Sequence, residues 1–251
     1  MNAEFAGLRA IVTGGASGIG AAVVLELMDR GATVASLDLR ATGSPHGSIG
    51  IVCDIGDDLS VARAVAEAAA ALGGIDIVVN NAGIGAQGTV ADGSSAEWLR
   101  VLDINVVGIA RVMRNALPHL IASTSAAVVN TSSVAATAGL PERAAYSASK
   151  GAVLALTRAM AADHLRDGIR VNAVAPGTAD TPWVGRLLAS APDPAAERIA
   201  LEERQPHGRL VAPEEIAYAV ASLASPRAGS TTGTSVAVDG GMQELRLRPR
   251  R

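Results

Sequence analysis

The chain has 251 residues, of which 49% are apolar and 18% charged, with a formal net charge of -3. That length suits one α/β domain, and the charge balance gives no electrostatic footprint for nucleic acid and no reason to expect a membrane surface. A single cysteine, Cys53, excludes an internal disulfide framework and fits a reducing compartment.

Short Val- and Ile-rich runs alternate with longer helical patterns along the chain. The first predicted strand is "RAIVT" (Arg9–Thr13), followed by a helix over "SGIGAAVVLELMDRG" that stops at Gly31. The second strand is "ATVASLD" (Ala32–Asp38) and the third "SIGIVCD" (Ser48–Asp54), where Cys53 reads as a small buried side chain. A helix over "DDLSVARAVAEAAAALGG" leads to a fourth strand, "IDIVVNN" (Ile75–Asn81). One long helix is expected over "SSAEWLRVLDINVVGIARVMRNALPHL", then a fifth strand, "AAVVNTSS" (Ala126–Ser133). A second long helix, "YSASKGAVLALTRAMAADHLRDG", precedes the sixth strand, "IRVNAVAP" (Ile169–Pro176). The seventh strand is "TSVAVDGG" (Thr234–Gly241). Strands this continuously apolar are buried on both faces. The alternation predicts a single-domain, doubly wound Rossmann α/β fold with a seven-stranded parallel sheet and helices on both faces.

The region 178–209 breaks the alternation. It is rich in Pro, Arg and Glu and reads as a candidate substrate lid. A basic tail, 242–251, ends the chain; it could fray in solvent or fold over an active site. The N-terminus lacks the apolar stretch of a secretion signal and no run reaches 18 apolar residues, so a cytoplasmic protein is expected. The four histidines show no ligand spacing, so no catalytic metal is expected.

"TGGASGIG" runs from Thr13 to Gly20, between the first strand and the first helix. Gly14, Gly18 and Gly20 are spaced so that backbone amides of the loop, with Ser17 and Ile19, can face a pyrophosphate at the helix N-terminus. Asp38 ends the next strand, where a carboxylate accepts bonds from a ribose 2′-hydroxyl and repels a 2′-phosphate, so NAD is favoured over NADP. Asp54 with Ile55, and Asn81 in "NNAG" with Ala82 and Gly83, fall on the same sheet edge. They read as adenine and ribose contacts, or as plain turn formers.

The chain has two tyrosines, and one of them, Tyr146, stands four residues before Lys150 in "PERAAYSASK". On a helix the two share a face. A phenol is a weak base at neutral pH, and a neighbouring ammonium favours its ionised form. Ser133 lies at the end of the fifth strand and can hold a substrate oxygen while tyrosine moves the proton.

Thr13–Gly20, Asn80–Gly83, Asn105, Ser133, Tyr146, Lys150 and the "PG" at Pro176–Gly177 together resemble the classical short-chain dehydrogenase/reductase family over almost the whole chain. The resemblance implies that Ser133 orients the substrate, Tyr146 is the acid/base, and Lys150 binds the nicotinamide ribose and lowers the phenol pKa. It implies that Asn105 holds a water of the proton relay and that Thr178 and Thr181 contact the carboxamide end of the cofactor. It also implies pairing of the two long helices between subunits of a homo-oligomer, a dimer or a tetramer.

The family leaves the substrate open. Arg143 lies about one turn before Tyr146, and Arg186, Arg204 and Arg209 lie in or beside the lid. Guanidinium groups favour planar capture of carboxylates, although lid arginines also pair with neighbouring acids such as Glu202 and Glu203. "PGTADTPWVGRLL", "RQPHGRL" and "PEEIA" resemble a subgroup acting on small hydroxy and keto acids, including the 2-keto-3-deoxy-L-sugar-acid dehydrogenases and type-2 3-hydroxybutyrate dehydrogenase. That resemblance implies substrate contacts from Arg143 and Arg204, with Arg186 a weaker match. The expected reaction is NAD-dependent oxidation of a small hydroxy acid, with a 2-keto-3-deoxy-L-sugar acid preferred. A 3-hydroxybutyrate-type or 3-oxoacyl substrate is the enzymatic alternative, and an NAD-binding regulator the non-enzymatic one.

Overall fold

A computed structural model of the chain describes residues 3–189 and 191–248. Seven strands, β1 (Arg9–Thr13), β2 (Thr33–Asp38), β3 (Ile49–Val52), β4 (Ile77–Asn80), β5 (Ala127–Thr131), β6 (Arg170–Pro176) and β7 (Ser235–Val238), form one sheet. Their spatial order is β3-β2-β1-β4-β5-β6-β7, and every pairing is parallel. The order reverses between β1 and β4, which opens a crevice at the C-terminal ends of those strands.

Strand periodicity assigns each face its helices. Ile11 of β1 points into a cluster with Val61, Ala64 and Val65 of α2 (Asp58–Leu72), Val112 and Ala116 of α4 (Gly108–Ile121), and Val153 of α5 (Ala144–His164). Its neighbours Ala10 and Val12 point the other way. There they meet Val23, Val24 and Leu27 of α1 (Gly18–Asp29) and Ile216, Ala217 and Val220 of α8 (Pro213–Ala224). The strands thus read as continuous apolar runs because both faces are covered. Cys53, just past β3, is 3% exposed, and burial pushes its thiol up to about 11. It is a packing residue rather than a nucleophile.

The long helix expected before β5 is divided. α3 (Ser95–Leu102) passes through one π turn, Asp103–Val107, into α4. Nothing in the 3.6-residue pattern marks the extra residue, because a π bulge inserts without a proline or a break in apolarity. Asp57 caps α2, its carboxylate accepting from the Ser60 amide, and Ser94 caps α3 in the same way from Glu97.

Two polar devices set how the layers meet, one near the crevice and one at the opposite edge of the sheet. Asn80 Nδ2 donates to Asn130 Oδ1 at 2.8 Å, and Asn130 Nδ2 donates to Thr157 Oγ1 at 2.9 Å, a buried chain joining β4, β5 and α5. At the opposite edge Asp76 accepts two bonds from the Arg9 guanidinium and one from Ser123. These bonds hold its carboxyl below the usual range against the opposing effect of burial. The first network fixes the axial position of α5, and with it the residues at the start of that helix.

Between β6 and α8 the chain forms α6 (Pro182–Ala189) and α7 (Pro194–Glu203). Val184, Leu201 and Leu210 form a small apolar cluster of their own under this segment. Arg198 ties α7 to the β6 loop through Asp180 and also pairs with Glu202. The region expected as a lid thus holds two short helices; Ser190, within it, lies outside the described residues.

Among the described residues, no helix is long and apolar enough to cross a membrane, and no group of three or more His, Cys, Asp and Glu could hold a metal ion.

Candidate active site

A cavity of about 960 Å³ opens along the C-terminal edge of the sheet. Its floor at one end is the β1–α1 loop. Gly14 and Gly18 adopt φ of 65° and 53°, and a Cβ on Gly14 would come within 3.0 Å of the Ala82 backbone. Both are sterically required to be glycine, and they line the cavity with Ser17 and Ile19. Gly20 does not line it, contrary to the expectation from spacing. A Cβ there would lie 2.0 Å from the Gly14 carbonyl oxygen, so this glycine exists to let α1 approach its own loop.

Asp38 lies at the end of β2 on the cavity wall, its carboxylate accepting from the Ala16 amide at 3.2 Å and from the Arg40 amide at 3.4 Å. Asp54, Ile55, Ala82 and Gly83 also line the cavity. Asp54 accepts from the Gly56 amide, so it forms a turn while facing the cavity. Asn81 lines the wall too, but its amide donates to the Thr13 and Gly14 carbonyls. That side chain braces the glycine loop instead of presenting its donors to a ligand. Thr13 Oγ1 completes the brace by accepting from the Asn81 and Ala82 amides. Pro176, Gly177, Thr178 and Thr181 close this end. Thr181 packs against Gly18, and its hydroxyl accepts from the Val184 amide to start α6.

At the other end stand Ser133, Tyr146 and Lys150. Ser133 caps a short 3-10 turn, Val134–Ala136, through the Ala135 amide. Lys150 is 5% exposed, and its ammonium donates to the Thr131 carbonyl at 2.9 Å. The same nitrogen lies 5.7 Å from the centre of the Tyr146 ring. Burial brings the Lys150 pKa down to about 8, so the group is still mostly charged at neutral pH.

The phenol does not behave as the residue pattern suggests. Its pKa is raised, because desolvation outweighs the hydrogen bond with Ser133 and the charge of Arg143, both of which lower it. The expected lowering by Lys150 is not a resolved influence, since that ammonium is turned to the Thr131 carbonyl. Instead it is Arg143 that supplies a resolved favourable charge to the phenolate.

Asn105 sits fully buried in the π turn and does not line the cavity. Its amide donates to the Ile84 carbonyl and to Ser149 Oγ, while its Oδ1 accepts from the Ile84 amide. Ser149 in turn donates to the Tyr146 carbonyl. Both amide hydrogens are committed, so the side chain braces the Gly83–Ile84 backbone against α5. Ser149 was not foreseen: a serine inside a helix gives no signal until its partner in the π turn is known.

Arg143 occupies the N-cap position of α5 and lines the cavity. The residue before it, Glu142, has φ 55°, a conformation that disfavours any side chain. It is held there by Gly88, whose amide donates to the Glu142 carbonyl and whose carbonyl accepts from the Ala144 amide. Arg204 and Arg186 line the cavity from α7 and α6; each is exposed and neither forms an ion pair among the described residues. Arg209 is different: it grips Glu215 with two bonds and is committed to the start of α8. Glu202, a rival partner for Arg204, pairs with Arg198 instead. Trp183, also unforeseen, lines the cavity from the first turn of α6 with its ring over Gly85.

The tail begins at the site without entering it. Gln243 accepts a bond from Thr137, just past the Ser133 turn, and Arg246 donates to nearby backbone carbonyls. No tail arginine among the described residues lines the cavity; residues 249–251 lie outside the described residues.

A family model described as enoyl-(acyl carrier protein) reductase matches residues 14–243. Cis-4-hydroxycyclohexanecarboxylate dehydrogenase of Sinomonas cyclohexanicum is 42% identical, covering 96% of this chain and 98% of its own. The chain belongs to the classical short-chain dehydrogenase/reductase family. As a family member it is an oxidoreductase acting on CH–OH groups. The 2-keto-3-deoxy-L-fuconate dehydrogenase of Xanthomonas campestris is 35% identical over 96% of this chain and 81% of its own. Among solved structures, ligand-free aldohexose dehydrogenase of Thermoplasma acidophilum superposes with a TM-score of 0.93 at 33% identity, covering 100% of both chains. The family's nicotinamide cofactor fits the crevice: the glycine loop is bare where side chains would block it, and the Asp38 carboxylate stands at the ribose end.

Replacing Asn105 with Ala leaves the Ile84 amide and carbonyl without partners. The expected loss is about 1–3 kcal/mol of stability, read by chemical denaturation, together with weaker binding of the nicotinamide cofactor. Ser149→Ala, which removes one bond of the brace, is expected to give a smaller loss in both.

Proposed function

We propose that the protein is an NAD-dependent dehydrogenase interconverting a secondary alcohol and a ketone on a small carboxylate-bearing substrate. The observation that carries the carboxylate is the set of Arg143, Arg186 and Arg204 on the cavity wall, without acidic partners among the described residues, while Arg198 and Arg209 nearby are both paired. The names of two relatives support it: one acts on a ring-bearing hydroxy acid and the other on a deoxy sugar acid. The subgroup motifs favour the sugar acid. A neutral alcohol would leave these guanidinium groups without a charge to meet.

In this reading Ser133 and Tyr146 hold the reacting oxygen, and Tyr146 moves its proton. Burial keeps the phenol protonated in the resting protein, the form that donates to a ketone oxygen. Oxidation requires the phenol to lose that proton, and the Ser133 hydrogen bond and the Arg143 charge favour the loss. Lys150, with hydrogens to spare beyond the Thr131 bond, anchors the nicotinamide ribose. The bound cofactor supplies the hydride acceptor and a positive charge. Asp38 selects NAD because a 2′-phosphate would meet its carboxylate. The chain is further proposed to act as a cytoplasmic homo-oligomer. Ala148, Ala155 and Ala159 lie exposed on one side of α5 and would admit a second helix closely.

NAD reduction with hydroxy acids, set beside their uncharged analogues, tests the reading. Tyr146→Phe is expected to lose about 10²–10⁴-fold in turnover while still binding NAD. Arg143→Ala is expected to raise KM for the acid at least tenfold and to leave the uncharged alcohol little changed. Equal use of acid and neutral alcohol by the wild type would contradict the carboxylate assignment. Asp38→Ala is expected to relax the preference for NAD over NADP, and an unchanged ratio would remove Asp38 from that role.

A further inference from the structure

The carboxylate and the reacting oxygen must be joined by a body, and the cavity wall specifies its character. Around Tyr146 and the three arginines the wall is formed by Ile84, Val134, Leu140, Trp183, Val184 and Leu201. Val184 and Leu201 are 2% exposed and packed with Leu210, so this surface is fixed by its own small core. Trp183 lies so close to Gly85 that a Cβ there would meet the indole at 2.7 Å. The ring thus lies against the Gly85 backbone, while the Ile84 amide and carbonyl are both taken by Asn105.

Neutral hydrogen-bonding side chains are scarce at this end. Ser133 and Tyr146 are taken by the reacting oxygen. Ser132 donates to the Lys150 carbonyl, and Thr131 is buried at the strand end. Thr181 faces Gly18 on the cofactor side, with Thr178 on the same loop. The Asp and Asn side chains of the lining stand at the end of β2 (Asp38), after β3 (Asp54 and Asp57), after β4 (Asn81, whose amide is committed to the glycine loop) and in the π turn (Asp103). What remains among the described lining residues is the Trp183 indole N–H and the guanidinium groups.

We propose that the substrate body is apolar, an alicyclic or branched aliphatic hydroxy acid, in place of the polyhydroxylated sugar acid favoured by the motifs. This rests on the carboxylate reading above. A methylene body gains from leaving water for this wall. Each extra hydroxyl would leave water without a partner, and an apolar wall discriminates against such groups by a finite factor, about 10² for one hydroxyl.

The experiment measures kcat/KM for NAD reduction by the wild-type protein on three compounds: 4-hydroxycyclohexanecarboxylate, 2-keto-3-deoxy-L-fuconate and cyclohexanol. The expected order places the alicyclic acid about 10²-fold or more above the sugar acid, and above cyclohexanol. A sugar acid used as well as, or better than, the alicyclic acid overturns the apolar body and leaves the carboxylate reading standing. Cyclohexanol used as well as the alicyclic acid, or turnover of neither acid, overturns the carboxylate reading beneath it.

Discussion

Lys150 is a charged group held out of water at the sheet edge, with the Thr131 carbonyl 2.9 Å from its nitrogen. Burial lowers its pKa from 10.5 to about 8, a displacement worth roughly 3 kcal/mol against the charged form. The fold tolerates this because the surrounding elements are fixed by other contacts. The Asn80–Asn130–Thr157 chain locates α5 along the sheet, and the Asn105–Ser149 bond fixes its first turns against the π turn. Gly83 fits between them: a Cβ there would lie 3.0 Å from Asn105 Oδ1 and 3.5 Å from Lys150 Nζ. The lysine is therefore confined by backbone on one side and by a polar brace on another.

The same start of α5 also carries the substrate hypothesis. Glu142 in its strained conformation, clamped to Gly88, directs the helix entry so that Arg143 and Tyr146 share one cavity. The Ser133 hydrogen bond and the Arg143 charge thus favour the phenolate. Burial opposes both, and its effect dominates in the free protein. This balance lets the phenol be an acid at rest and a base once further positive charge arrives.

Much of this architecture was legible in the residues. All seven strands appear within one to three residues of their observed ends, because a parallel sheet covered on both faces leaves an apolar run that little else imitates. The glycine loop, Asp38, Ser133, Tyr146 and Lys150 all lie on one cavity, as their spacing at strand ends implies. The π turn was not legible, since it changes hydrogen bonding without changing composition. The bracing bonds of the Asn105 side chain and the close approach of Gly20 to the Gly14 carbonyl were not legible, because motif position does not reveal packing partners. The pairing of Arg209 with Glu215, which leaves Arg204 without an ion pair among the described residues, is encoded by no local pattern. The apolar wall contributed by Trp183 depends on Gly85, a hundred residues earlier in the chain, and is visible only once the two meet.

The buried ammonium is the central claim, and it can be titrated directly. Lys150 is the single lysine of the chain, so a carbon-13 label at the lysine ε position reports its pKa by NMR in the free protein without further assignment. The signal is expected to titrate near a pH of about 8. A Lys150 signal titrating at the ordinary lysine value of about 10.4 would contradict it, because the ammonium would then be solvated and free of the Thr131 carbonyl that positions it.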